Sequence, residues 1–185
     1  MKKFTKIAQV VTKVIEISHW IALGLIALST IFCMVAPQWM KYVVEFEVEG
    51  GNLVELDAYG FEVISKFKDG QIHRLTYSLY GIGAVSIFAM VALIFNNLHE
   101  ILCISEKETP FNDKNIKRLK RIGLFSILIP IIGLFMGTII RICVGNEASE
   151  ISNSMDGFIM GIIVLCLTEI FTYGASLEKD IDGLV

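Results

Sequence analysis

The chain has 185 residues, of which 54% are apolar and 19% charged, with a formal net charge of −3 and a mean hydropathy of +0.64. That balance lies outside the range of an ordinary soluble globular domain. The sequence also lacks a nucleotide-binding loop, a Ser-His-Asp arrangement and zinc-ligand spacing, so no enzymatic chemistry is expected.

Four segments approach the ~20 apolar residues needed to cross a hydrocarbon core of ~30 Å: residues 14–36, 76–104, 122–144 and 157–177. Residues 1–185 are therefore read as a single integral membrane domain. The expected fold is mainly α, a four-transmembrane-helix bundle with a small extracytoplasmic antiparallel β sheet between the first and second helices.

The chain begins Met1-Lys2-Lys3, as a signal peptide would. Glu16 interrupts the approach to the apolar run, however, and no small-x-small site follows, so the first span is expected to be retained. Glu16 and His19 lie in its inner third and are candidate intramembrane functional groups.

The insertion at about 38–75 alternates in hydropathy. Val44, Phe46 and Val48 are interleaved with Glu45, Glu47 and Glu49, then Gly50-Gly51-Asn52 intervenes before Val54, Leu56 and Ala58. This pattern predicts a hairpin. A second pair, 61–67 and 71–75, is expected to turn at Lys68-Asp69-Gly70. The acidic residues of these strands are read as a solvated outer face above an apolar inner one, although a surface for a cation is the sharper alternative.

At the end of the second span His99 and Cys103 stand four residues apart and share a helix face, with Glu100 beside them and Asn96 and Asn97 a turn earlier. They are read as a polar helix end. No metal or other cofactor is expected, because no ligand spacing brings them together with Glu16, His19 or Glu169.

The connection at about 105–121 is the most basic part of the chain. Asn112 suits a helix N-cap, Asp113 favours the first turn, and Phe111 is placed to staple against Ile116. Ile116, Leu119 and Ile122 recur every three residues, with Lys114, Lys117, Arg118, Lys120 and Arg121 on the other sides. Such a basic amphipathic turn suits anionic headgroups, at about 1 kcal/mol per basic side chain. Phe111, Asn115, Lys117, Arg118, Lys120 and Arg121 are accordingly candidates for lipid contact or for docking a cytoplasmic protein; direct nucleic-acid binding is not expected.

Lys and Arg counts set the orientation. Lys2, Lys3, Lys6 and Lys13 precede the first span and six basic residues lie between 107 and 121, whereas residues 145–156 contain none. Both termini and the basic connection are therefore expected in the cytoplasm, and the multi-pass chain in a bacterial plasma membrane.

In the third span Pro130 is expected to kink the helix. Gly133 with Gly137, and Gly157 with Gly161, are spaced for close helix packing. Glu169 is the one carboxylate placed well inside a span and is a candidate functional group by its position. All four cysteines fall inside or at the ends of spans, where packing is their default.

Two motifs carry a family resemblance. Glu108-Thr109-Pro110-Phe111, followed by Asn115, Leu119 and Gly123, and the closing Ile170-Phe171-Thr172-Tyr173-Gly174-Ala175-Ser176-Leu177 with Asp180 and Asp182, resemble the bacterial four-span family called domain of unknown function 2975. The resemblance covers residues 78–185 and leaves the acidic sheet aside. It implies an inner-membrane protein of unassigned activity, with members often encoded beside a small helix-turn-helix DNA-binding protein, and it offers no catalytic residues to carry over. The function expected is sensing, or tethering and regulating a cytoplasmic partner of that kind; the alternative is a small ion-coupled carrier using Glu169. A homo-oligomer is compatible with either.

Overall fold

The computed structural model describes residues 2–37, 53–66, 73–104, 109, 111–145 and 148–182. The chain is mainly helical: α1 (Lys2–Val35), α2 (Arg74–Ile104), α3 (Asp113–Val144) and α4 (Asp156–Asp182), with three short strands, β1 (Leu53–Ala58), β2 (Phe61–Lys66) and β3 (Ala148–Asn153). All four helices are long and apolar enough to cross a membrane. At 1.5 Å per residue even α4 is roughly 40 Å long, more than the ~30 Å required.

The described residues form two compact units. The first comprises Met1–His19, Met90–Leu128 and Asp156–Val185; the second comprises Trp20–Ala89 and Ile129–Met155.

The second unit contains the sheet, in the order β1-β2-β3 with both pairings antiparallel. Its hairpin turns at Tyr59-Gly60, where both residues have positive φ, 53° and 82°, as a two-residue type I′ turn requires. Gly60 is also needed sterically, because a Cβ there would lie 3.3 Å from the Ser154 nitrogen, whose N–H donates to Gly60 O at 2.9 Å. The turns expected at Gly50-Gly51-Asn52 and Lys68-Asp69-Gly70 fall outside the described residues, as does the strand expected at 44–48. Of the strand expected at 71–75, Arg74 and Leu75 instead begin α2. Tyr59 hid the true turn, since a bulky aromatic carries no signal for left-handed backbone.

A second difference concerns residues 145–156, the short connection between the third and fourth spans, for which no strand was expected. They contain β3, which adds to the free edge of β2. Its sequence, Ala-Ser-Glu-Ile-Ser-Asn, has little strand propensity, so pairing with β2 rather than local preference makes it extended.

Alternation along the strands gives the sheet two faces. Leu56, Ala58, Phe61 and Val63 are buried, whereas Glu55, Asp57 and Glu150 are exposed and Glu62 is half-buried. Asp57 and Glu62 stand directly opposite each other, a destabilising pair of like charges. Each carboxylate is given a donor: Gly60 N–H for Asp57 and the Ser152 hydroxyl, at 2.7 Å, for Glu62.

The inner face packs on α2 and α3. The ring of Phe61, fully buried, stacks on Tyr80 at 5.4 Å, and Cys33, Ile87, Met136 and Ile140 complete the core. Gly133 and Gly137, expected to bring helix against helix, instead seat the sheet: a Cβ on Gly137 would lie 2.9 Å from Ile151 Cγ2, and one on Gly133 would collide with Asn153. Asn153 in turn donates its amide N–H to Pro130 O at 2.8 Å. Pro130 lies buried inside a helix that continues to Val144.

In the first unit Gly161 of α4 meets Gly123 and Ile127 of α3, and a Cβ on Gly161 would lie 2.8 Å from Gly123 O. Here Gly161, paired with Gly123 rather than acting through its spacing from Gly157, joins helix to helix. The four cysteines are free thiols, Cys33 buried and Cys143 exposed.

Replacing Phe61 with Ala should cost about 3–5 kcal/mol, the usual range for a fully buried aromatic. Gly24, whose missing Cβ faces open space, should tolerate Ala with a gain of up to ~1 kcal/mol. Denaturant unfolding of the detergent-solubilised protein measures both; an unchanged midpoint for Phe61→Ala would remove Phe61 from the centre of the core.

Candidate polar cleft between α2 and α3

The start of α3 is built as the sequence implies. Asn112 caps it, accepting the Lys114 N–H on its side-chain oxygen at 2.8 Å, while its carbonyl accepts from Ile116. Asp113 follows in the first turn, 3.7 Å from Lys179 of α4. The buried stripe runs through Asn115, Ile122 and Gly123, with Ile116 and Leu119 half-buried at its margins. Lys114, Lys117, Lys120 and Arg121 are left exposed, and Arg118 half-buried.

Phe111, expected to staple onto Ile116, lies on α4. Its ring is 5.4 Å from that of Phe171 and covers Gly174, where a Cβ would come within 2.8 Å of it. Phe111, from the first of the two motifs, therefore touches Phe171 and Gly174 of the second.

Two candidate groups that the sequence kept apart converge. Glu100 of the polar end of α2 forms an ion pair with Arg118 of α3, through Oε2 and Nη2. Around that pair opens a cleft of about 370 Å³, lined by Leu93, Asn96, Asn97 and Glu100 of α2 and by Lys114, Lys117, Arg118, Arg121 and Phe125 of α3. Asn96, Asn97 and Lys114 had no functional assignment from sequence. The signal for them was the polar end of α2 followed closely by a basic start of α3, which a short connection folds face to face.

His99 and Cys103 do not join this cleft. The Nδ1 of His99 lies 2.9 Å from Gln9 O, which can only accept, so Nδ1 carries the proton. The bare Nε2 then accepts from the Cys103 thiol at 3.5 Å. Thr12 Oγ1 lies 3.4 Å from the same Nδ1, and Gln9 donates its side-chain amide to Leu102 O at 3.1 Å. Nδ1 thereby joins α2 to α1, while Nε2 is engaged within α2 by Cys103.

Glu16 is buried and accepts from Lys13 Nζ at 2.9 Å. His19 donates to Ile15 O at 2.7 Å and stacks on Phe95 at 5.9 Å. Glu169 is exposed and lines a separate hollow of about 310 Å³ with Lys120, Leu165, Cys166 and Thr168. Among the described residues, no three His, Cys, Asp or Glu side chains come together as metal ligands.

The arrangement can bind an anion or an acidic group at the α2–α3 cleft and can hold helices together elsewhere. No family model, curated protein or solved structure matches the chain, so the likeness to domain of unknown function 2975 rests on its two motifs.

Glu100 remains 46% exposed in its side chain, which limits the worth of its ion pair. A double-mutant cycle of Glu100→Ala and Arg118→Ala, read by unfolding, should give a coupling of about 1 kcal/mol or less. A coupling near zero at low salt would show that the pair does not order the cleft.

Proposed function

We propose that the chain is a non-enzymatic, multi-pass protein of a bacterial plasma membrane that senses the envelope or tethers and regulates a cytoplasmic partner, a small helix-turn-helix regulator being the candidate. The four long apolar helices support the membrane assignment. The Lys and Arg distribution supports cytoplasmic termini and a cytoplasmic α2–α3 connection. The observation that carries the tethering reading is the exposed row Lys114, Lys117, Lys120 and Arg121 at the capped start of α3, braced from behind by Arg118 on Glu100. A rigid, single-sign row of this kind steers and orients an acidic partner.

The contact between the two family-like motifs favours the same end of the molecule, because Phe111, Phe171 and Gly174 pin the last helix beside that row. A carrier using Glu169 has less support. Its carboxylate lines a hollow with Lys120, Leu165, Cys166 and Thr168, and no second carboxylate among the described residues lines that hollow to pass a proton on.

The tagged full-length protein, solubilised from membranes of the native host, should bring down a cytoplasmic protein. The double reversal Arg118→Glu/Arg121→Glu should reduce its recovery about tenfold or more. Undiminished recovery rejects the row as the docking surface. For orientation, Lys6→Cys placed in a chain whose Cys33, Cys103, Cys143 and Cys166 are replaced by Ser or Ala should react with an impermeant thiol reagent only after the membrane is opened.

A further inference from the structure

Glu100 engages one terminal nitrogen of the Arg118 guanidinium, Nη2. The other, Nη1, is buried without a hydrogen-bond acceptor among the described residues. Buried donors are nearly always paired in folded proteins, and leaving one unpaired on a charged group is costly. Lys114, Lys117 and Arg121 line the same cleft, so among the described residues four cationic side chains share it with one carboxylate. Solvent screens that repulsion in part, and an anion among them would relieve it.

The lining narrows the choice of anion. At about 370 Å³ the cleft lies at the small end of the ~300–1,000 Å³ range of small-ligand sites, too small for a stretch of polymer. A carboxylate has two oxygens in one plane, a geometry that one guanidinium already satisfies. A phosphate group presents oxygens tetrahedrally, enough for Arg118, a neighbouring ammonium and an amide N–H of Asn96 or Asn97 at once. Leu93 and Phe125 each lie about one helical turn beyond the polar residues of their helix. With α2 and α3 antiparallel they fall at the same end of the cleft, giving the carbon attached to a phosphate an apolar surface to rest on.

We propose that the α2–α3 cleft is a site for one phosphate group, gripped by Arg118 with Lys117 and Arg121, whether it belongs to an anionic phospholipid headgroup or to free phosphate. This goes beyond the tethering proposal and requires no partner protein. The apolar end favours the lipid, whose glycerol carbons would follow the phosphate.

The test uses the full-length protein, delipidated in a neutral detergent, with phosphatidylglycerol, phosphatidylcholine and inorganic phosphate as probes. Native mass spectrometry should show one phosphatidylglycerol held per chain, at least about tenfold more tightly than phosphatidylcholine, whose choline would meet the cationic lining. Arg118→Gln should reduce that occupancy about tenfold and Arg121→Gln, an exposed and structurally mild change, by several-fold, whereas Lys6→Gln on α1 should leave it unchanged. If millimolar inorganic phosphate displaces the lipid and raises the unfolding midpoint in an Arg118-dependent way, the site takes free phosphate also; if not, the headgroup is its ligand. Binding of many lipids without saturation, or occupancy indifferent to both arginine variants, overturns the proposal. Loss of a cytoplasmic partner with phosphatidylglycerol binding intact, or the reverse, separates the failure of one proposal from that of the other.

Discussion

The packing of this protein depends on the places where α3 carries no side chain. At Gly123 its backbone comes close enough to α4 for the carbonyl of one helix to lie beside the Cα of the other. At Gly133 and Gly137 it receives Asn153 and Ile151 of β3. Close backbone approach increases dispersion contact and matters most where lipid removes the hydrophobic advantage of burying apolar groups. A single helix thus serves two different neighbours by the same means, one in each compact unit.

Polar side chains along the helices are largely occupied by structure. Thr12, Thr30, Ser86, Ser126, Thr138, Thr168 and Thr172 each return a hydroxyl hydrogen bond to a carbonyl four residues earlier. That is the solution available to a hydroxyl with no water near it. Gln9 and His99 carry hydrogen bonds between α1 and α2, Cys103 meets His99 within α2, and Asn153 is held by the Pro130 carbonyl. Against this background the α2–α3 cleft differs in kind: its cations outnumber its carboxylate and one buried donor has no acceptor among the described residues. That imbalance is what the proposed phosphate site rests on.

The candidate residues show how far local reading carries toward such a site. Of the residues lining the cleft, Lys117, Arg118 and Arg121 stood out because charge is a local signal, and Glu100 because a carboxylate at a helix end is conspicuous. Their convergence was not recognisable, since it depends on which faces of α2 and α3 meet. Glu169 stood out by its position within an apolar run, but its neighbours did not: the hollow it lines with Lys120 depends on the pairing of α4 with the start of α3.

Apolar run length by itself determined four long helices, because a sequence pattern of some twenty residues leaves little alternative to a helix. The Asn112 cap was equally determined, being a contact between residues two apart. The sheet was legible in its existence and its two faces, through the alternation at Leu56, Ala58, Phe61 and Val63. Tertiary structure alone decided the rest: the turn at Tyr59-Gly60, the recruitment of β3 by the open edge of β2, and the use of the α3 glycines for a strand rather than a helix. Each is a choice between partners distant in sequence. Such a choice is made by the shape and hydrogen-bonding needs of the surface already present, and those needs are not encoded in the short segment that satisfies them.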